Sequence, residues 1–191
     1  MHGVSLLGYR LMSNHVHLIL IPSKPQSLGL TRKHAHGRFA SYWNAVQRSS
    51  GHVWQGRYYS CPLDETHLWE ALRYTELNPV RAGLIQDPEA WKWSSAAAHC
   101  TSASVEVCLA MGLWRTRWSA ESWRAFLSQQ QSQTQLSTIR QATHTGRPLG
   151  TPAFVLALER STQRRLAPEK RGRPRKTTTN SLQCLLPLNL S

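Results

Sequence analysis

Acidic side chains are scarce in this chain. Ten Asp and Glu stand against 23 Lys and Arg in 191 residues, a formal net charge of +13. The imbalance points to a polyanionic partner, and nucleic acid is the commonest one. An anionic membrane surface, the other candidate, needs an amphipathic basic helix or a lipidation signal, and the sequence has neither. A basic surface that is merely solvated is the plain alternative. Long hydrophobic runs are also missing, so no stretch approaches the length of a transmembrane helix. The N-terminus lacks the basic-then-apolar layout of a secretory signal. Paired cysteines are missing too. Cys61, Cys100, Cys108 and Cys184 are scattered with no C-x-x-C. That spacing argues against a zinc knuckle and against a disulfide framework, and it fits a reducing cytoplasm. The length suffices for one domain with a core plus appendages.

Residues 4–9 and 15–22 read as strands, the second aliphatic, β-branched and closed by Pro22. After the turn "KPQSLG", residues 31–51 read as a helix with Phe39, Tyr42, Trp43 and Val46 as its buried stripe. "GHVWQGRYYSCP" is aromatic and punctuated by glycines, an irregular strand or hairpin. The clearest helix is "DETHLWEALRYTELNPVRAGL". Asp64 is its N-cap, Glu65 sits in its first turn, and Gly83 is its C-terminal stop. Leu68, Ala71, Leu72 and Thr75 form one stripe of it; Glu70, Tyr74 and Asn78 form another. Pro79 brings no N–H and must disturb the ladder. From about residue 105 the composition turns Gln- and Ser-rich, with a helical rhythm in Trp118, Trp123, Phe126 and Leu127. One more helix is expected from Pro152 to Leu166, followed by a basic tail and a final stretch expected to be disordered.

The stretch "LMSNHVHLILIPS" carries the first chemistry. In a strand, residues i and i+2 point the same way, so His15 and His17 project together, roughly 7 Å apart, while Val16 faces the core. Two imidazoles at that distance can converge on one cation and leave positions open for a third ligand, water and substrate. Histidines also satisfy strand edges and pack against aromatics, so the pair alone does not decide. His34 and His36 repeat the pattern in a helix, where i and i+2 lie about 200° apart and cannot readily share a metal. Tyr74 and Asn78, at i and i+4, stack on one face of their helix. An amide oxygen from Asn78 could complete a mixed site that tolerates Mg²⁺ or Mn²⁺, with Mn²⁺ favoured by the imidazoles. A tyrosine beside that cation could attack a phosphodiester and keep its bond energy in a covalent phosphotyrosine. By itself Tyr74 would more often be a structural tyrosine; the combination is what points to chemistry.

Three blocks, "GYRLMSNHVHLILIPS", "GHVWQGRYYSCPL" and "RYTELNPVRAGLI…WKWSSAAAH", occur in order across residues 3–100. Together they resemble the IS200-like single-tyrosine transposases, most closely the REP-associated tyrosine transposases. "TGRPLG" and "KRGRPRK" resemble the C-terminal extension of that subgroup. The resemblance implies an α+β, ferredoxin-like fold, an antiparallel sheet with helices on one face. It implies His15 and His17 as metal ligands, Asn78 as the third ligand, and Mg²⁺ or Mn²⁺ as cofactor. Tyr74 would be the nucleophile, leaving a 5′-phosphotyrosine and a free 3′-OH. The substrate would be single-stranded or hairpin DNA, often a repeated extragenic palindrome, in a bacterial cytoplasm near the nucleoid. The expected layout is a transposase domain over 1–100, a helical extension over 105–166 and a basic tail over 167–191. Family members usually carry a strand and a helix ahead of "HGV…GY", so an exposed sheet edge and apolar surface are expected here. The alternative that follows is a catalytically inactive hairpin-binding module. The resemblance leaves open whether the protein is a monomer or a homodimer.

Other candidate DNA contacts are Arg57 between aromatic residues, with Trp54 and Tyr58 as base-stacking partners. Equally, Trp54 could be core and Arg57 its cover. Arg73 and Arg81 flank the nucleophile on its helix as candidate phosphate contacts. Arg171, Arg173 and Lys176, in "RGRPRK", resemble an AT-hook core that can lie in a narrow minor groove. A solvated tail with nonspecific DNA affinity is the alternative. Trp91 and Trp93 read as core.

Overall fold

The computed structural model describes residues 2–101 and 109–167. Arg171, Arg173, Lys176 and the basic tail beyond residue 167 therefore lie outside the described residues. Within them the chain is α+β: one two-stranded antiparallel sheet and eight helices. Strand β1 (Val4–Leu11) pairs with β2 (Val16–Pro22) in a register that sets Arg10 opposite His17 and Leu11 opposite Val16. A bulge between Leu6 and Gly8 leaves Leu7 out of the ladder and turned into the core. Gly8 is where the central helix touches the sheet. A Cβ there would lie 2.1 Å from Leu72 Cδ1, so only glycine permits the approach. The outer edge of β1 is engaged by residues 93–95 and 109–110, through Leu11 N–H to Trp93 O and Ala110 N–H to Leu6 O. Among the described residues β2 pairs with no strand but β1.

Helix α1 spans Ser27–Gln47, starting four residues earlier than its periodicity predicts because the turn is complete at Gln26. Its expected buried stripe is a correction. Phe39, Tyr42, Trp43 and Val46 are 44, 65, 44 and 55% exposed. The spacing does put apolar residues on common faces, but α1 stands across an open groove from β2 instead of lying on it. Residues 51–62 form no regular strand; Leu63 makes a single bridge to Leu149.

The central element is α2 (Glu65–Glu76). Asp64 caps it as expected: Oδ1 accepts from the His67 backbone N–H at 2.9 Å, and Oδ2 accepts from the Thr151 N–H at 2.7 Å. Every residue from Ala71 to Glu76 is buried, so the second half of α2 is surrounded on all sides, while Glu65 and Thr66 in its first turn are exposed. It breaks at Leu77 and resumes as α3 (Asn78–Arg81), with Pro79 in the first turn where a missing N–H costs nothing. Gly83, with φ +68, turns the chain away two residues beyond α3.

Helices α4 (Ala96–Cys100), α5 (Met111–Arg115) and α6 (Ala120–Ser128) close one side of α2. Leu7, Trp69 and Leu72 share one core with Trp114, Trp123 and Leu127. Helix α7 (Gln133–Thr145) closes another side: Leu136, Ile139 and Ala142 pack with Tyr74 and Leu149. Helix α8 (Pro152–Thr162) follows, capped by Thr151. The expected division at about residue 100 is thus not a division of packing, because both segments contribute to the same two cores. Trp91 is half-buried and donates its indole N–H to Leu11 O at 3.0 Å. Trp93 corrects the expectation of a core residue. It is exposed, with the Lys92 ammonium 5.1 Å from its ring centre. No helix among the described residues is long and apolar enough to cross a membrane.

Beneath the sheet lies a buried polar knot. Glu76 Oε1 accepts from Ser95 Oγ at 2.5 Å and from His99 Nδ1 at 2.6 Å, and Oε2 accepts from Trp123 Nε1 at 2.9 Å. Ser95 Oγ in turn accepts from the Tyr9 N–H at 3.0 Å. One carboxylate so ties α2 to α4, α6 and β1.

Candidate functional site

The hairpin and α2 bring three of the four proposed reacting residues together. His17 in β2 and His15 in the turn just before it project to one side, with ring centres 5.3 Å apart and near-perpendicular planes. The Tyr74 ring lies 6.3 Å from that of His17. Asn78 does not join them in the same way: it opens α3, half-buried, and is not among the residues lining the adjoining groove.

His15 is held in one tautomer by two neighbours. Asn14 Oδ1, an acceptor only, lies 2.6 Å from Nδ1, and the Arg10 guanidinium, a donor only, lies 3.1 Å from Nε2. The proton therefore sits on Nδ1 and the lone pair on Nε2. Burial, followed by the Arg10 charge, pushes the His15 pKa below its ordinary value. For His17 burial does the same more strongly. With Arg10, His15 and Arg81 adding to it, the pKa falls to about 4. Both rings are neutral at pH 7, the form in which an imidazole can ligate a cation. Among the described residues no group of three His, Cys, Asp or Glu converges anywhere.

Arg10 is the residue that the sequence did not flag. It is fully buried, beside the two histidines, and its Nε and Nη1 have no hydrogen-bond partner among the described residues. Burial draws its pKa down to about 10, Tyr74 opposing and Arg81 adding, so it remains a cation at pH 7. Only the strand register could have found it, since an arginine opposite His17 must share that histidine's neighbourhood.

Arg81 packs its guanidinium over the Tyr74 ring at 4.2 Å. It also donates to Tyr74 O and, at 2.9 Å, to Gln131 Oε1. Those bonds make it a positioning residue for Tyr74 more than a free phosphate contact. Arg73 corrects the sequence expectation outright: it is 2% exposed, stacked on Phe126 at 4.6 Å and donating to Gln129 O. A side chain so enclosed does not reach a DNA backbone.

Tyr74 and the histidines open onto a groove of about 750 Å³ between β2, α1, residues 53–61 and α7. Among the described residues no Asp or Glu lines it. Its aromatic wall contains Trp54, whose indole stacks on His36 at 4.0 Å and donates to His36 O at 3.1 Å. Trp54 also leans on Phe39 at 5.5 Å. Tyr58 carries the Arg32 guanidinium 4.8 Å from its ring centre. Arg57 lines the groove and is exposed. Neither sequence alternative for Trp54 fits completely: it is half-buried, but in the groove wall and not in either core. No family model matches the chain, and no curated protein or solved structure matches it.

Proposed function

We propose that this protein is a transposase-like enzyme that nicks and joins single-stranded DNA through Tyr74. The observation that carries the reading is the convergence of a tyrosine with two neutral imidazoles on a groove without a carboxylate. Phosphodiester chains are polyanions with stackable bases, and a groove that carries Arg32, Arg57 and aromatic rings in its wall suits them. The finer fold expected from the resemblance, a ferredoxin-like sandwich, and the hairpin substrate belong to the same proposal.

Tyr74 Oη attacks the scissile phosphorus and gives up its proton to solvent. The bond from phosphorus to the 3′-oxygen breaks, and that oxygen takes up a proton to leave as a free 3′-OH. The 5′-phosphate stays on Tyr74, so the ester energy is kept for rejoining. Arg81 fixes the plane of the phenol from behind. Trp54, Tyr58 and Arg57 would hold unpaired bases and backbone along the groove. The histidines fit a divalent cation on an observation of their own: His15 presents the lone pair on Nε2 while Nδ1–H is held by a carbonyl-type oxygen, the usual outer support of a ligating imidazole. His15 and His17 would hold Mg²⁺ or Mn²⁺, leaving the remaining positions to water and substrate. When bound, that ion would supply charge stabilisation at the scissile phosphate.

The test is a labelled single-stranded hairpin oligonucleotide incubated with the protein and Mn²⁺, then resolved on a denaturing gel. A covalent adduct is expected, and it should vanish with Tyr74→Phe and with chelator. Hairpin binding without any adduct would replace the enzyme with a binding module. The exposure of Tyr74, only 8%, is the feature that favours that second reading.

A further inference from the structure

Arg10 stands in a position that the proposed chemistry does not use. Its Nη2 donates to His15 Nε2, the one ring nitrogen of His15 that carries a lone pair. No other side-chain hydrogen bond of Arg10 occurs among the described residues, and its Nε and Nη1 are buried without partners. Among the described residues no carboxylate acts on its charge, and its cationic neighbour is Arg81. We propose that Arg10 is an internal competitor for the divalent cation at His15. A single lone pair cannot serve a guanidinium N–H and a metal ion together, so cation binding requires Arg10 to withdraw. Withdrawal leaves a buried guanidinium with no hydrogen bond, and a second positive charge then arrives beside it. Both effects oppose the metal. The inference rests on the reading of His15 and His17 as cation ligands.

The protein as it exists is titrated with Mn²⁺ alone, without DNA, and the free ion is followed by electron paramagnetic resonance. Arg10→Met, which keeps an unbranched apolar stem and removes the donor, should bind Mn²⁺ about tenfold or more tightly, the worth of a charge-assisted hydrogen bond released from competition. Equal or weaker binding by the variant overturns the proposal. A second measurement needs no variant. In wild-type protein labelled with ¹⁵N at arginine and histidine, added Zn²⁺ should move the Arg10 guanidinium and His15 ring signals at a common midpoint. His15 saturating while Arg10 stays still overturns the proposal as well. A protein that forms no DNA adduct can pass both tests, so failure of the strand-transfer reading is separate. If neither protein binds the ion, this inference and the metal-dependent part of the proposed function fall together.

Discussion

Two polar clusters flank the same helix and behave in opposite ways. Glu76 and Tyr74 are two residues apart on α2, about 200° around its axis, so they face away from each other. On the Glu76 side, both carboxylate oxygens are taken by a serine and a histidine from the α4 segment and a tryptophan from α6; among the described residues of this knot only His99 Nε2 is left without a partner. On the Tyr74 side a buried guanidinium has one hydrogen bond and two unpartnered nitrogens, and the imidazoles beside it are neutral. A closed network in low dielectric rigidifies a fold, whereas an open one holds unspent capacity for a ligand. The two clusters therefore differ in saturation and in enclosure: the Glu76 knot is sealed, whereas His15 is exposed and His17 half-buried.

Four changes sharpen that contrast, in decreasing order of effect. Glu76→Ala orphans three buried donors and should lower unfolding stability by about 3–5 kcal/mol in urea titration. A loss under about 1 kcal/mol would mean that the knot is not a structural centre. Gly8→Val drives a side chain into Leu72 and should cost about 1–3 kcal/mol by the same measurement. Arg10→Met replaces an uncompensated buried charge with a methionine, and should leave stability within about 1 kcal/mol of wild type or raise it. A large loss there would make the two clusters alike. Trp43→Ser, on the exposed face of α1, should stay within about 0.5 kcal/mol.

Acid gives an independent handle on the open cluster. His17 has its pKa lowered to about 4 in the folded chain from 6.5 when unfolded. Between those values the unfolded chain binds the extra proton, so folding stability is lost as pH falls from about 6.5 toward 4. His17→Asn should flatten that part of the stability profile in metal-free protein. An unchanged slope would place the pH dependence elsewhere.

What the sequence made legible was local. The Asp64 cap, the strand pair and the projection of His15 with His17 all follow from spacings of two to four residues, and each is found in the structure. Tyr74 was legible as a nucleophile candidate through a motif, but its meeting with His17 depends on how α2 lies on the hairpin. Periodicity identified the apolar stripe of α1 and could not say what stands opposite, which turned out to be an open groove. Arg73 looked like a surface arginine because nothing local announces Phe126 and Gln129, more than fifty residues on. Arg10 was missed for the same reason in miniature: its partner lies five residues away across a turn, and burial is invisible in one dimension.

The sharing of α2 between early and late parts of the chain has a practical consequence. A chimera joined at the 101–109 connection would inherit the tyrosine from one parent and the indole that clamps its helix, Trp123, from the other. Swapped halves should yield insoluble or unfolded products unless that pairing travels with them. Inheritance of Tyr74 and of the stability of its helix is then linked, and the two parts are expected to change in step.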